Sequence, residues 1–208
     1  MGSKRIGLAR TQTLLQGLRR DLTMGGATFQ NAIIQGPAQS ASGAGMQSGS
    51  VTAPVLKVQN INGEILTTYQ LDFQNLSGSA DHAGDAASLP AYMFQWSNAV
   101  NGICYKIEAS CIESPAGGTA ARQFDLSSST LATYVQGDVP SGDPTAICSF
   151  FGNKLTQYGT VTKTQLVSSP GDQEYIYLVC ATGSGNGAAG NYTAGKAIYK
   201  FYGYLDFT

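Results

Sequence analysis

Asp81, His82 and Asp85 fall within five residues, DHAGD, and place the chain's single histidine between two carboxylates. Two carboxylates and one imidazole in a loop could hold a metal ion. His82 could also serve as the base for a serine nucleophile, but that chemistry comes with a G-x-S-x-G elbow, and the sequence has none. A metal-binding cupin needs several histidines. DHAGD is therefore read as a solvated polar loop. Two glycine patterns also invite a chemical reading. GNGAAG fits G-x-G-x-x-G at Gly185, Gly187 and Gly190, yet a dinucleotide site needs a helix to begin there so that amide groups meet the pyrophosphate. NYTAGKAIYKFYGY follows instead, and it has the pattern of a strand. GNYTAGKA sets Gly190, Gly195 and Lys196 at P-loop spacing, but Ala197 stands where a hydroxyl must bind Mg²⁺. No catalytic, cofactor-binding or metal-binding residue is expected, and the protein is not expected to be an enzyme.

The elements around these loops read as β-structure. ILTTYQLDF places Ile65, Thr67, Tyr69, Leu71 and Phe73 on one face of a strand. ICYKIEASC places Ile103, Tyr105, Ile107, Ala109 and Cys111 on one face and Lys106 and Glu108 on the other. EYIYLVCA and KAIYKFYGYLDF are strand-rich, and weaker strands are expected at APVLKV, AYMFQW, RQFDL, LATYV, TAICSFF and TVTKTQLV. Turn clusters separate them at Asn62-Gly63, Asn101-Gly102 and Ser169-Pro170-Gly171. About eight antiparallel strands without intervening helices predict an all-β, two-sheet sandwich, with a jelly roll as the leading topology. In the last strand Tyr199, Phe201 and Phe207 point one way and Tyr202 and Tyr204 the other. Both faces apolar predicts a strand buried in the sheet or against another subunit. Tyr92, Phe94 and Trp96 share a face that is expected to be core or subunit interface, with a sugar-binding platform as the alternative.

Cys104 and Cys111 are seven residues apart on one strand, which strict alternation places on opposite faces. With Cys148 and Cys180 they are read as free thiols of a protein assembled in a reducing cytoplasm. The sequons at Asn75 and Asn191 are then chance matches. Only 12% of residues are charged, against roughly 25% in an average soluble domain. A surface so poor in charge is either neutral and polar or covered by other protein. No apolar run reaches the roughly 18 residues of a membrane span.

Charge is distributed unevenly. Of the twelve basic residues, five lie in the first 22 positions, MGSKRIGLARTQTLLQGLRRDL, beside one acid of the thirteen. Leu8, Thr11, Leu15, Leu18 and Leu22 are spaced 3, 4, 3, 4, which predicts one apolar seam on a helix, with Leu14 on its flank. Gly7 and Gly17 weaken such a helix by about 1 kcal/mol each relative to alanine, so it needs a partner surface. FQNAII (29–34) predicts a short strand that docks elsewhere. GPAQSASGAGMQSGS then has the composition of a flexible connector. The expected organisation is a helical anchoring arm over 1–35, a linker over 36–50 and a β-sandwich body over 51–208.

Lys4, Arg5, Ile6, Gly7, Leu8, Ala9, Arg10, Gln12 and Leu14 form a K-R-I-G-L-A-R-x-Q-x-L segment. This opening resembles that of virion structural proteins of marine tailed phages, particularly those infecting cyanobacteria. The match covers roughly the first 25 residues. In that group a short basic helix is followed by a Gly/Ser-rich stretch and a β-rich body, and its members look like capsid decoration, or cement, proteins. The resemblance implies a partner in the major capsid protein, assembly with copies of itself as a homotrimer, and a place on the outer surface of the virion after assembly in the host cytoplasm. The partner-binding residues would be Lys4, Arg5, Leu8, Arg10, Leu15, Leu18, Arg19, Arg20 and Leu22. Leucines would bury against apolar surface and cations would meet acidic patches. No membrane partner is expected. Five arm charges are few for nucleic acid, whose binding scales with phosphates neutralised. Two alternatives stay open: a carbohydrate-binding jelly-roll module of a tail or head fibre, and a shell-forming jelly-roll coat protein.

Overall fold

The computed structural model describes residues 34–35, 39, 41–49, 52–61, 63–78, 83, 89–117, 124–135, 145–149, 161–164, 168–180 and 190–205. Twelve strands occur among them. They are β1 (Ile34–Gln35), β2 (Val55–Ile61), β3 (Glu64–Asp72), β4 (Ser77–Gly78), β5 (Tyr92–Gln95) and β6 (Ile103–Ala116). They continue with β7 (Phe124–Ser129), β8 (Thr145–Ser149), β9 (Val161–Thr164), β10 (Tyr175–Cys180), β11 (Gly190–Asn191) and β12 (Ala194–Tyr204). Two short helices join them, α1 (Ala44–Gly49) and α2 (Asn98–Asn101).

Six strands form one sheet in the order β1-β2-β3-β12-β6-β9, and four form a second in the order β5-β10-β7-β8. β4 and β11 make a separate two-stranded pair. All pairings among the described strands are antiparallel. The all-β, two-sheet class follows from the period-two patterning. Ile65, Thr67, Tyr69, Leu71 and Phe73 are all buried, as the alternation in ILTTYQLDF requires. Of the weaker strand expectations, LATYV forms only a single bridge, Val135 with Pro90.

The sheets share one core. Phe94 of β5 meets Phe201 of β12 edge to face at 5.2 Å, and Trp96 lies 5.9 Å from the same ring. Aromatic pairs in these geometries add about 0.5–1.5 kcal/mol beyond area burial. Met93, Leu126, Ile176 and Leu178 of the four-stranded sheet join Tyr69, Ile107, Ala109 and Tyr199 of the six-stranded one. Trp96 is fully buried, its indole N–H donating to the Gly102 carbonyl at 3.1 Å. That places it in the core and removes it from any sugar platform.

Two expectations are corrected. Part of the stretch assigned to a flexible linker is packed: Ser42, Gly43, Gly45 and Met46 are buried. Gly43 donates to the Tyr92 carbonyl at 2.9 Å and Gly45 to the Pro90 carbonyl at 2.8 Å. Met46 is fully buried in the common core, and Ser42 Oγ hydrogen-bonds the Tyr69 hydroxyl at 3.1 Å. The glycines serve close approach here: a Cβ on Gly45 would lie 2.6 Å from the Leu89 carbonyl oxygen. Composition alone does not separate that use from flexibility. The second correction concerns β6. A bulge shifts its register between the pairs Tyr202↔Lys106 and Gly203↔Cys104. Cys104 turns into the core, and Tyr105, expected inside, is exposed. Cys104 and Cys111 are therefore both buried free thiols of the same core, not on opposite faces.

Candidate functional site: a tyrosine patch on the outer sheet face

The partner-binding residues expected from sequence, Lys4, Arg5, Leu8, Arg10, Leu15, Leu18, Arg19, Arg20 and Leu22, lie outside the described residues. So do Asp81, His82 and Asp85. Among the described residues the surface most suited to binding is on the outside of the six-stranded sheet, at the end where β12 finishes.

β12 is central, flanked by β3 and β6. Its inward residues Ala197, Tyr199 and Phe201 are buried, so alternation turns Ile198, Lys200, Tyr202 and Tyr204 outward. Register sets Tyr204 between Glu64 of β3 and Ile103 of β6, and Tyr202 between Leu66 and Lys106. The bulge adds Tyr105. Its ring lies 6.3 Å from Tyr202 and 6.2 Å from Tyr204, tilted by 53° and 39°. Tyr105 is 47% exposed and Tyr204 40%.

Polar contacts fix the rings. The Tyr105 hydroxyl donates to Glu64 Oε1. The Tyr202 hydroxyl donates to Glu108 Oε2 at 2.7 Å. Lys106 Nζ sits 3.6 Å from the centroid of Tyr202, a cation–π contact, and 3.3 Å from Glu108 Oε1. The acceptor carboxylate of Glu64, with some burial, pushes the Tyr105 hydroxyl up to about 12. Burial, then the bond to Glu108, pushes Tyr202 up to about 12. Both phenols are therefore neutral donors at physiological pH, unsuited to act as bases. The arrangement offers held aromatic surface, edged by two carboxylates and one lysine.

Gly102 closes the patch from beneath. It adopts φ 72°, and a Cβ there would lie 2.5 Å from the Tyr204 carbonyl oxygen. The Asn101-Gly102 turn read from sequence is thus the point where the chain passes under the end of β12. Beside it Asn101 is buried, donating to Gln39 Oε1 at 2.7 Å and to Thr67 Oγ1 at 2.9 Å, which ties the segment before α1 to the sheet.

At the opposite end of the face a cleft of about 250 Å³ is lined by Val55, Gln70, Asp72, Ile112, Lys196 and Ile198. Lys196 Nζ pairs with Glu113 Oε2 at 2.7 Å beside it. Among the described residues, no group of three or more His, Cys, Asp or Glu side chains gathers to hold a metal. Burial pushes the Cys104 thiol up to about 12 and raises Cys111 as well.

The sequence sets Tyr202 and Tyr204 opposite Tyr199 and Phe201, and Lys106 and Glu108 opposite Ile107, but it groups Tyr105 with Ile107 and so hides the patch. No period-two argument locates a bulge. No protein-family model, curated protein or solved structure matches the chain.

Proposed function

We propose that this is a non-enzymatic virion protein, a capsid decoration or cement protein that binds the outside of a phage head and stabilises it. The observation that carries this reading is the opening segment from Lys4 to Leu22. It is basic, seamed with leucines, similar to the openings of phage virion proteins, and joined to a two-sheet body of low charge. In this reading the arm is the anchor. Leu8, Leu15, Leu18 and Leu22 bury in a groove of the major capsid protein or a neighbouring copy, each contributing about 1.5–3 kcal/mol when fully covered. Lys4, Arg5, Arg10, Arg19 and Arg20 meet acidic groups around it. Copies assembled as a trimer carry three arms and gain avidity without a strong single contact. The site of action is the outer capsid surface, reached in the host cytoplasm. Neither membrane nor nucleic acid is a partner in this reading.

The body fits a jelly roll, and the strand order supports that assignment. Taking β3, β5, β6, β7, β8, β9, β10 and β12, one sheet runs β3-β12-β6-β9 and the other β5-β10-β7-β8. Every connection except β7 to β8 switches sheets, the interleaving that two Greek keys produce.

Co-sedimentation with undecorated heads tests the function. Full-length protein is expected to pellet with heads, and Leu15→Asp/Leu18→Asp to remain in the supernatant, because a buried unpaired charge costs several kcal/mol. Undiminished pelleting of that variant refutes the anchor. A second reading, a carbohydrate-binding fibre module, is favoured by exposed Tyr105 and Tyr204, and is weakened by the burial of Trp96.

A further inference from the structure

Seven large apolar side chains are exposed among the described residues, and five of them share one surface. Val55, Ile61, Tyr105, Ile112 and Tyr204 all stand on the outer face of the six-stranded sheet. They form two groups on that face, Ile61, Tyr105 and Tyr204 at one end and Val55 and Ile112 at the other, and several exposed apolar side chains on one face point to an interaction surface where single scattered ones do not. Its charge says what covers it. Register places Lys57, Lys106, Lys163, Lys196 and Lys200 on this face with Glu64, Asp72, Glu108 and Glu113, five of one sign and four of the other. Lys106–Glu108 and Lys196–Glu113 are already paired within it. A face so nearly balanced has little field to select a phosphate backbone or an anionic lipid surface. It can meet an identical face, which a face of one sign could not do without repulsion. Tyrosine hydroxyls and carboxylates supply donors and acceptors together, so the same patch is self-complementary.

Extent points the same way. Four strands, β2, β3, β12 and β6, at about 4.8 Å spacing and roughly 30 Å long cover about 550 Å² in projection. With side-chain relief that is of the order of the ~800 Å² per partner of a stable interface. A saccharide explains less of the surface. Lys106 already caps the Tyr202 ring, and the aliphatic side chains Val55, Ile61 and Ile112 give a sugar ring no aromatic face to stack on.

We propose that the outer face of the six-stranded sheet, centred on Tyr105, Tyr202 and Tyr204, is the contact through which copies of this chain assemble. A face that meets its own copy pairs two chains about a two-fold axis, so this contact is additional to the trimer contact of the proposed function and goes beyond that reading. Its test uses free protein, so it fails separately from shell attachment.

Sedimentation equilibrium of the full-length protein at tens of micromolar should give a multiple of the 21.7 kDa chain mass. Tyr105→Glu/Tyr204→Glu should weaken association by about a hundredfold or more and sediment as monomer, with an unchanged far-ultraviolet spectrum. Val55→Asp/Ile112→Asp, at the other end of the face, should do the same if the tyrosine variant folds poorly. Leu131→Asp, exposed in the segment after β7, should leave the mass unchanged. A monomeric wild type overturns the inference, as does full association of folded variants at both ends of the face. Loss of association in Leu15→Asp/Leu18→Asp with retention in Tyr105→Glu/Tyr204→Glu also overturns it, by placing the contact in the arm. A wild-type monomer retained on immobilised polysaccharide through Tyr105 and Tyr204 overturns it in favour of a glycan site.

Discussion

Tyr199 and Phe201 lie on the same strand as Tyr202 and Tyr204, and the two pairs differ only in the face they occupy. Inside, Phe201 touches Phe94 and Trp96 and sees no solvent. Outside, the Tyr204 ring meets that of Tyr105 and remains 40% exposed. One strand thus carries two aromatic surfaces, one that holds two sheets together and one left facing solvent. Aromatic content therefore says little by itself. What decides its use is whether a second sheet of the same chain is there to cover it.

The comparison breaks most sharply under truncation. Phe201→Ala is expected to cost about 3–5 kcal/mol in urea unfolding, while Tyr204→Ala, measured on the monomer, should stay within roughly 1 kcal/mol. Similar losses at both positions would erase the distinction between the faces. Met46→Ala comes next, at about 2 kcal/mol or more, because Met46 fills the common core. A change under about 0.5 kcal/mol would restore residues 41–49 to the role of a loose connector.

Gly102→Ala is a smaller test. Positive φ and the nearby Tyr204 backbone predict a loss of more than about 1 kcal/mol, with the Tyr105–Tyr204 ring contact disturbed. Tyr105 and Tyr204 ring resonances unchanged by the substitution would show that the turn does not support the patch.

The smallest effect is in titration. Tyr105 and Tyr202 should ionise near 12, above the ordinary 10, when phenolate absorbance is followed. Their folded values are raised, so the native state holds protons that the unfolded chain releases. Their stabilising contribution is complete below about pH 10 and fades as pH climbs toward 12. Glu64→Gln should lower the Tyr105 midpoint more than that of Tyr202, because the Glu64 bond is the first cause for Tyr105 while burial and the bond to Glu108 come before the Glu64 charge for Tyr202. Equal shifts in both would mean that the carboxylates do not act individually.

Much of the body was legible because alternation is enforced by burial. ILTTYQLDF must put Ile65 to Phe73 on one side, and an NG or PG cluster must turn the chain. The rest was hidden for physical reasons. A bulge adds one residue to one strand and leaves no trace in composition, so Tyr105 was assigned inside and Cys104 outside. Gly43 and Gly45 look like linker residues, although they serve backbone approach to Leu89 and Pro90. The patch was hardest to see, since Glu64, Tyr105 and Tyr204 meet only through the pairing of β3, β6 and β12. The opening segment shows the reverse case: its basic residues and leucine spacing are plain in the sequence, and the partner proposed for it is another molecule.

Imaging intact virions at residue resolution tests the central claim most directly. The account predicts this chain on the outer surface of the head, with Leu8, Leu15, Leu18 and Leu22 seated in a groove of the capsid protein or of a neighbouring copy. Finding those leucines packed into the chain's own sheets, or the chain confined to the tail or the head interior, would contradict it.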